Sequence, residues 1–292
     1  MNLLLSVLEQ GLIYAVLALG VYITFKILDF PDMTVDSSFP LGAAVTALMI
    51  QSGASPLLTL PAAIAAGALA GAVTGFIHVR LHVGGLLSGI IVMTGLYSVN
   101  LHIAGRANVQ LFSFDTMFKN SLIAALPAAV QPYAPVVLLA LLTLVVKLLL
   151  DAYLATRSGF LLRATGDNPT LVASLAKDSG KVKILGLSIA NALVALAGCV
   201  MCQYQRYFDI SMGTGTLVLA VASVIVGTQL LRGLRFLGAT LAVIIGSILY
   251  KGCVALALSL GLSPFDLKLV TAALLLVIIV LGGYKRKVKP RA

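Results

Sequence analysis

The sequence has no tryptophan, one glutamate and few charges of either sign. Charged residues make up 10% of the 292 positions, whereas soluble domains carry about 25%. At 60% hydrophobic content and a mean hydropathy of +1.07, a core this apolar cannot be hidden from water at this length. The solvent for most of the chain must be lipid. Without tryptophan, an interfacial aromatic belt falls to tyrosine: Tyr133, Tyr153, Tyr204, Tyr207 and Tyr284 are placed for it. Cysteine is scarce as well. Cys199, Cys202 and Cys253 all sit in apolar runs, which excludes a disulfide framework. The Cys199–Cys202 spacing places the pair one turn apart in a predicted spanning helix with no histidine nearby, so they read as small packing residues. No metal site is expected. His78 and His82 are four apart but no carboxylate accompanies them.

The net charge of +10 arises from 20 basic residues against 10 acidic ones. No interleaving of basic and aromatic residues suggests nucleic acid. The bilayer and its anionic headgroups are the better partner for this excess. The chain also lacks a G-x-x-x-x-G-K-[ST] loop, so it has no usual cradle for nucleotide phosphates. It carries no soluble binding domain. The first residues, MNLLLSVLEQGLIYAVLALG, have no charged leader region and no A-x-A site, so they are expected to stay as a first helix.

Nine apolar segments predict an all-α polytopic protein. They run over Leu3–Phe25, Phe39–Ile50, Leu57–Val79, Gly85–Ile103, Ala134–Leu154, Ile184–Tyr204, Thr214–Leu231, Phe236–Leu258 and Leu267–Gly283. The second is too short to span alone. A first half of about 1–125 and a second of about 134–284 form one membrane domain, followed by a basic tail, 285–292. The longest polar interruption is 156–183, with Arg157, Arg163, Lys177, Lys181 and Lys183. Placing it in the cytoplasm also puts Lys26, Arg80, Arg232, Arg235 and the five basic residues of the tail on that side. Only Arg106, Lys119, Arg206 and Lys268 then lie outside. The expectation is a C-terminus inside and an N-terminus outside.

Gly67, Gly71 and Gly75 are four apart and share a helix face, which predicts a backbone approached closely by another helix. Two polar breaks stand in corresponding places. Asp29 to Pro40 precedes one short apolar segment, and Asp209 to Thr216 precedes another. They enter from opposite faces, the mark of an inverted repeat with a pathway at its interface.

Several polar residues carry two open readings. Asp29, Asp32 and Asp36 either line a pathway or bind cations, or else cap the short helix and pair with Lys26. Capping of the helix that starts at Ser37–Pro40 is favoured for Asp36. Tyr97 and Asn100 share a face of the fourth helix and either touch solute or bond between helices. Lys251 lies deep in the eighth helix and either serves a pathway, or snorkels toward the outer face or pairs with Asp266 or Asp209. Lys147 and Asp151 are four apart and should pair.

DMTVDSSFPLGAAVTALM, the Asp209 break and VLAVASVIVGTQLLRGLRFLGATLAVIIGSIL resemble the permeases of branched-chain amino acid and ribose ABC importers. ILDFPDMTVDSSFPLGAAV, GLYSVNLHIAGRANVQLF and LRATGDNPTLVASL are similar to a bacterial subgroup linked to aromatic amino acid uptake. The resemblance implies an ABC permease fold, working as a homodimer with no catalysis of its own. Two cytoplasmic ATPases would bind ATP and magnesium, and an extracytoplasmic binding protein would deliver solute. It implies that a short helix in 156–183 docks on the ATPase. Of the coupling-loop residues Arg157, Ser158, Gly159, Leu162, Arg163, Thr165, Gly166, Asp167, Asn168 and Pro169, the stretch from Ser158 to Ala164 would lead in, and Gly166, Asp167, Asn168 and Pro169 would form a turn and helix start. Pathway candidates are Asp32, Asp36, Ser37, Tyr97, Asn100, Thr214, Thr216 and Lys251. Arg106, Asn108, Arg206 and Asp209 would form the rim for the binding protein. The rival class is an ion-coupled secondary carrier, with the aspartates and Lys251 as coupling residues.

Overall fold

The structure, a computed structural model, describes residues 2–120, 130–168, 178–230 and 238–259, with 123, 125, 127, 172, 269, 272, 273 and 276. The tail and Pro169 lie outside the described residues, as does most of the ninth predicted segment.

Nine helices are described. They are α1 (Asn2–Val21), α2 (Val35–Gln51), α3 (Thr59–Arg80), α4 (Gly85–Ala104), α5 (Ala134–Leu154), α6 (Arg157–Asp167), α7 (Ser179–Gln205), α8 (Thr216–Leu230) and α9 (Ala239–Ser259). Among the described residues, seven helical stretches are long and apolar enough to cross a membrane; α2, with 17 residues, and α6 are not among them. α1 runs on into a π-helical turn, Tyr22–Ile27, before the first break. Two short strands, β1 (Asn108–Gln110) and β2 (Tyr207–Asp209), pair antiparallel.

Local chemistry sets the ends. The Asp178 carboxylate accepts from the Lys181 N–H at 3.1 Å and starts α7. Arg206 ends it in the left-handed region, φ 60°, with its N–H on the Cys202 carbonyl. Gly105 closes α4 in the same way, φ 73°.

α7 and α1 form the centre, with most of α7 buried from Gly186 to Gln203. The Tyr204 hydroxyl donates to Glu9 at 2.8 Å, while Gly20 packs on the Ala190 carbonyl. The two helices therefore run antiparallel. α3 lies along α7 through the predicted glycine face. A Cβ on Gly67 would stand 2.3 Å from the Asn191 carbonyl oxygen, and one on Gly71 would stand 2.1 Å from that of Leu187. Without a hydrophobic force between helices in lipid, this close backbone contact supplies the packing.

The same arrangement recurs on the other side. α9 lies antiparallel along α1, where Ser247 donates to the Gly11 carbonyl at 2.9 Å and Gly11 meets Ile248. α2 packs on α7 and α8 packs on α1. α1, α2 and α3 thus correspond to α7, α8 and α9, with equivalent helices running in opposite directions: an inverted repeat. α5 stands outside this correspondence, against α1.

Candidate functional site

The two breaks meet at one carboxylate. Asp36 lies in the first turn of α2, yet it caps α8 instead of its own helix. Its Oδ1 accepts from the Leu217 N–H at 2.8 Å and from the Thr216 hydroxyl at 3.1 Å. Its Oδ2 accepts from the Gly215 N–H at 3.1 Å. A carboxylate suits this place, because the N-terminal N–H groups of α8 are unpaired and carry partial positive charge. Gly215 makes the turn possible at φ 84°. The contact is close because of two residues. Pro40 lacks the N–H that would bond the Asp36 carbonyl. Gly213 packs there, and a Cβ on it would stand 2.0 Å from that carbonyl oxygen.

A cavity of about 490 Å³ opens beside this junction, between α2, α4 and the second break. Asp36, Ser37, Tyr97, Asn100 and Thr214 all line it, with Met93, Thr94, Ser98 and Ser211. Thr216 sits directly behind, on Asp36. Ser37 donates to the Met93 carbonyl at 2.8 Å, and the Asn100 amide donates to the Ser37 carbonyl at 3.0 Å. Asn100 is buried, and its Oδ1 has no protein partner among the described residues. Tyr97 is half exposed. The cavity thus offers acceptors, hydroxyls and one aromatic ring, enough to hold a small polar or aromatic molecule without reacting with it.

Two pathway candidates lie elsewhere. Asp32 is buried behind α2 and accepts from the Asn191 amide at 2.7 Å and the Thr34 N–H at 3.0 Å. The Thr34 and Thr74 hydroxyls meet next to it at 2.8 Å. Neither Asp29 nor Asp32 forms the expected ion pair with Lys26 among the described residues. Amide and N–H donors can satisfy a buried carboxylate where an exposed lysine is better left in the polar boundary. Lys251 lines a separate cavity between α1 and α9, with its ammonium 3.9 Å from the Tyr14 ring centroid. Lys147 and Asp151 pair at 2.9 Å as their spacing predicts.

At the β1–β2 end, Asn108 donates to Asp209 at 3.1 Å. The Ser211 hydroxyl and N–H also donate to Asp209, and these bonds hold its carboxyl below the usual range. Arg206 donates to the Phe112 carbonyl and stacks over the Phe112 ring at 5.6 Å. Arg106 is exposed. The rim residues are therefore gathered on one face, although Asn108, Arg206 and Asp209 already have partners within the chain.

The polar interruption departs from expectation. Its helix, α6, begins at Arg157, where Thr156 accepts from the Gly159 N–H at 3.2 Å. The residues read as a lead-in and turn are themselves helical up to Asp167. Gly159 and Gly166 act as points of close approach: a Cβ on Gly166 would stand 1.7 Å from the Ile27 carbonyl oxygen. Asn168 ends the helix in an extended conformation, as a residue before proline favours. Gly159, Leu162 and Thr165 face inward, and Leu162 packs against Gly186 of α7. Arg157, Phe160, Arg163 and Asp167 form the exposed face; Ser158 bonds Tyr153 at 3.2 Å. α6 thus rests on the π-helical turn that leads into the first break.

Sequence reasoning missed Phe160, Asn191 and Gln203. Gln203 donates to the Pro56 carbonyl and the Thr59 hydroxyl, and accepts from the Met117 N–H. A polar side chain inside an apolar run was the available signal for Asn191 and Gln203.

Known proteins give the arrangement a family. Residues 3–280 match the family described as branched-chain amino acid transport system, permease component. The "Tyrosine transport system permease protein" of Clostridioides difficile is 42% identical over 99% of this chain and 94% of its own length. "Uncharacterized protein RP368" of Rickettsia prowazekii is 34% identical over 95% of this chain and 96% of its own. The "Ribose import permease protein RbsC" of Escherichia coli is 25% identical over 98% and 87%. A family match over nearly the whole length, on an inverted repeat of membrane helices, means that this chain belongs to the permease components of the branched-chain amino acid transport type.

Proposed function

We propose that the chain forms the solute pathway of a binding-protein-dependent ABC importer, as a homodimer, with an amino acid as solute. The observation that carries this reading is the Asp36 junction: two interrupted segments from opposite ends of the repeat joined beside a polar cavity. A pathway that opens to one side at a time needs its moving parts to meet at the solute. The name of the Clostridioides difficile relative and the Tyr97 ring at the cavity favour an aromatic amino acid.

In this reading α6 is the handle. Two cytoplasmic ATPases, binding ATP and magnesium, grip its exposed face, with Phe160 as the apolar knob and Arg157 and Arg163 beside it. Closure of the ATPases moves α6, and the contact of Gly166 with Ile27 passes the motion to the first break. Differential affinity of ATP for the closed state supplies the bias. The binding protein docks on the face that carries Arg106, Asn108 and Asp209. The N-terminus lies outside and the C-terminus in the cytoplasm.

The test is uptake of radiolabelled tyrosine into proteoliposomes that contain the chain with its ATPase and binding protein. ATP-dependent uptake that needs both partners is expected. Uptake driven by a sodium or proton gradient without the ATPase would overturn the reading in favour of a secondary carrier.

A further inference from the structure

Lys251 lies outside the pathway cavity, and its surroundings are chemically unusual. It stands in α9 eight residues before the helix end at Ser259, about 12 Å along the axis. Its ammonium lies over the Tyr14 face, and no carboxylate stands within ion-pair distance of it among the described residues. It lines a cavity of about 370 Å³ between α1 and α9. Ser6 and Gln10 add hydroxyl and amide donors one turn apart on α1. Val7, Val254 and Leu258 line the rest. Leu3 and Leu256, at the same helix ends, are exposed.

A cation at this depth is costly unless an anion or water meets it. A ring face answers part of its charge but not its three N–H donors. The cavity thus has a cationic and donor-bearing end and an apolar end, and it opens between the exposed N-terminal end of α1 and α9. That is the shape of a site for an amphiphile with an anionic head. A cation with hydrogen-bond donors beside it can hold such a headgroup through charge-assisted bonds, here on the outer side where the proposed orientation puts this end of α1.

We propose that the α1–α9 cavity binds an anionic phospholipid, its phosphate on Lys251, Gln10 and Ser6 and its chain along Val7, Val254 and Leu258. This site is independent of the solute pathway.

The test is native mass spectrometry of the full chain released from detergent, after titration with phosphatidylglycerol, phosphatidylcholine or inorganic phosphate. Phosphatidylglycerol should be retained about fivefold over phosphatidylcholine, the advantage of one cation facing an anionic head. Lys251→Met should abolish this preference, Lys251→Arg should keep it, and Lys26→Met should leave it unchanged. Thermal melting should show phosphatidylglycerol stabilising the wild type and the Arg variant but not the Met variant. Equal retention of the two lipids, or unchanged preference in Lys251→Met, would overturn the proposal. Stabilisation by inorganic phosphate as strong as by the lipid would also overturn it, pointing to a free anion. Preference that emerges only in Asp266→Asn would overturn it too, since Lys251 would then belong to an ion pair within the chain.

Discussion

Asp36 and Leu217, 181 residues apart, are joined by a 2.8 Å hydrogen bond from backbone N–H to carboxylate. Asp36 is the only side chain that holds the start of α8 by three bonds among the described residues. Asp36→Asn keeps the shape but removes the charge that faces the helix N-terminus. The charge contributes up to about 1 kcal/mol at a helix N-terminus, and the amide nitrogen that replaces one oxygen can no longer accept a hydrogen bond. The variant should therefore melt only a few degrees lower in detergent, while uptake falls at least tenfold because the junction moves with the gate. Equal loss of folding and uptake would make Asp36 a merely structural cap.

Gly71 and Gly95 give a paired test of the packing. A Cβ on Gly71 would press into the Leu187 backbone at 2.1 Å, whereas one on Gly95 would meet nothing within 4 Å. Gly71→Ala should cost about 1–3 kcal/mol by overpacking and lower the yield of folded protein. Gly95→Ala should be silent in stability. Size-exclusion recovery and thermal melting in detergent check both.

Gly166 links α6 to the first break. Gly166→Leu should separate α6 from Ile27, so that ATP hydrolysis continues while uptake is lost. Phe160 is 60% exposed, and Phe160→Ala should weaken ATPase co-purification without changing the melt of the permease alone. Parallel assays of hydrolysis, uptake and co-purification separate the two roles. If both variants transport normally, α6 does not couple.

Asp209 gives a pH signature. Its carboxyl is held below the ordinary value by Ser211 and Asn108. The folded chain therefore binds fewer protons there than the unfolded chain. The stabilisation is fully present above about pH 4, the unfolded value, and is lost as pH falls through the lower folded value. The difference in melting temperature between wild type and Asp209→Asn should be constant from about pH 5 to 8, where the carboxylate is fully ionised in both states, and should shrink below about pH 4.

Much of the fold is legible in the residues. Long apolar runs demand spanning helices, and Gly67, Gly71 and Gly75 declare a contact face before its partner is known. The two breaks are legible because aspartate, proline and glycine have no other reason to interrupt an apolar chain. What Asp36 caps was not legible, because local spacing points to its own helix and the true acceptor of its charge lies in the other half. α6 was obscured for a related reason. Gly159 and Gly166 read locally as helix breakers, but both are points of close approach to other backbone. Lys251 suggested a carboxylate partner, and the described neighbour is the Tyr14 ring, which sequence spacing cannot place.

The most direct measurement follows the cavity itself. Ser98 lines it. In a chain with Cys199, Cys202 and Cys253 replaced by alanine, Ser98→Cys would be labelled with a membrane-impermeant thiol reagent in proteoliposomes with the ATPase. Labelling from one face without nucleotide and from the other with ATP trapped is the expected result. A thiol that reacts from the same face in both states, or from neither, would contradict a pathway at the Asp36 junction.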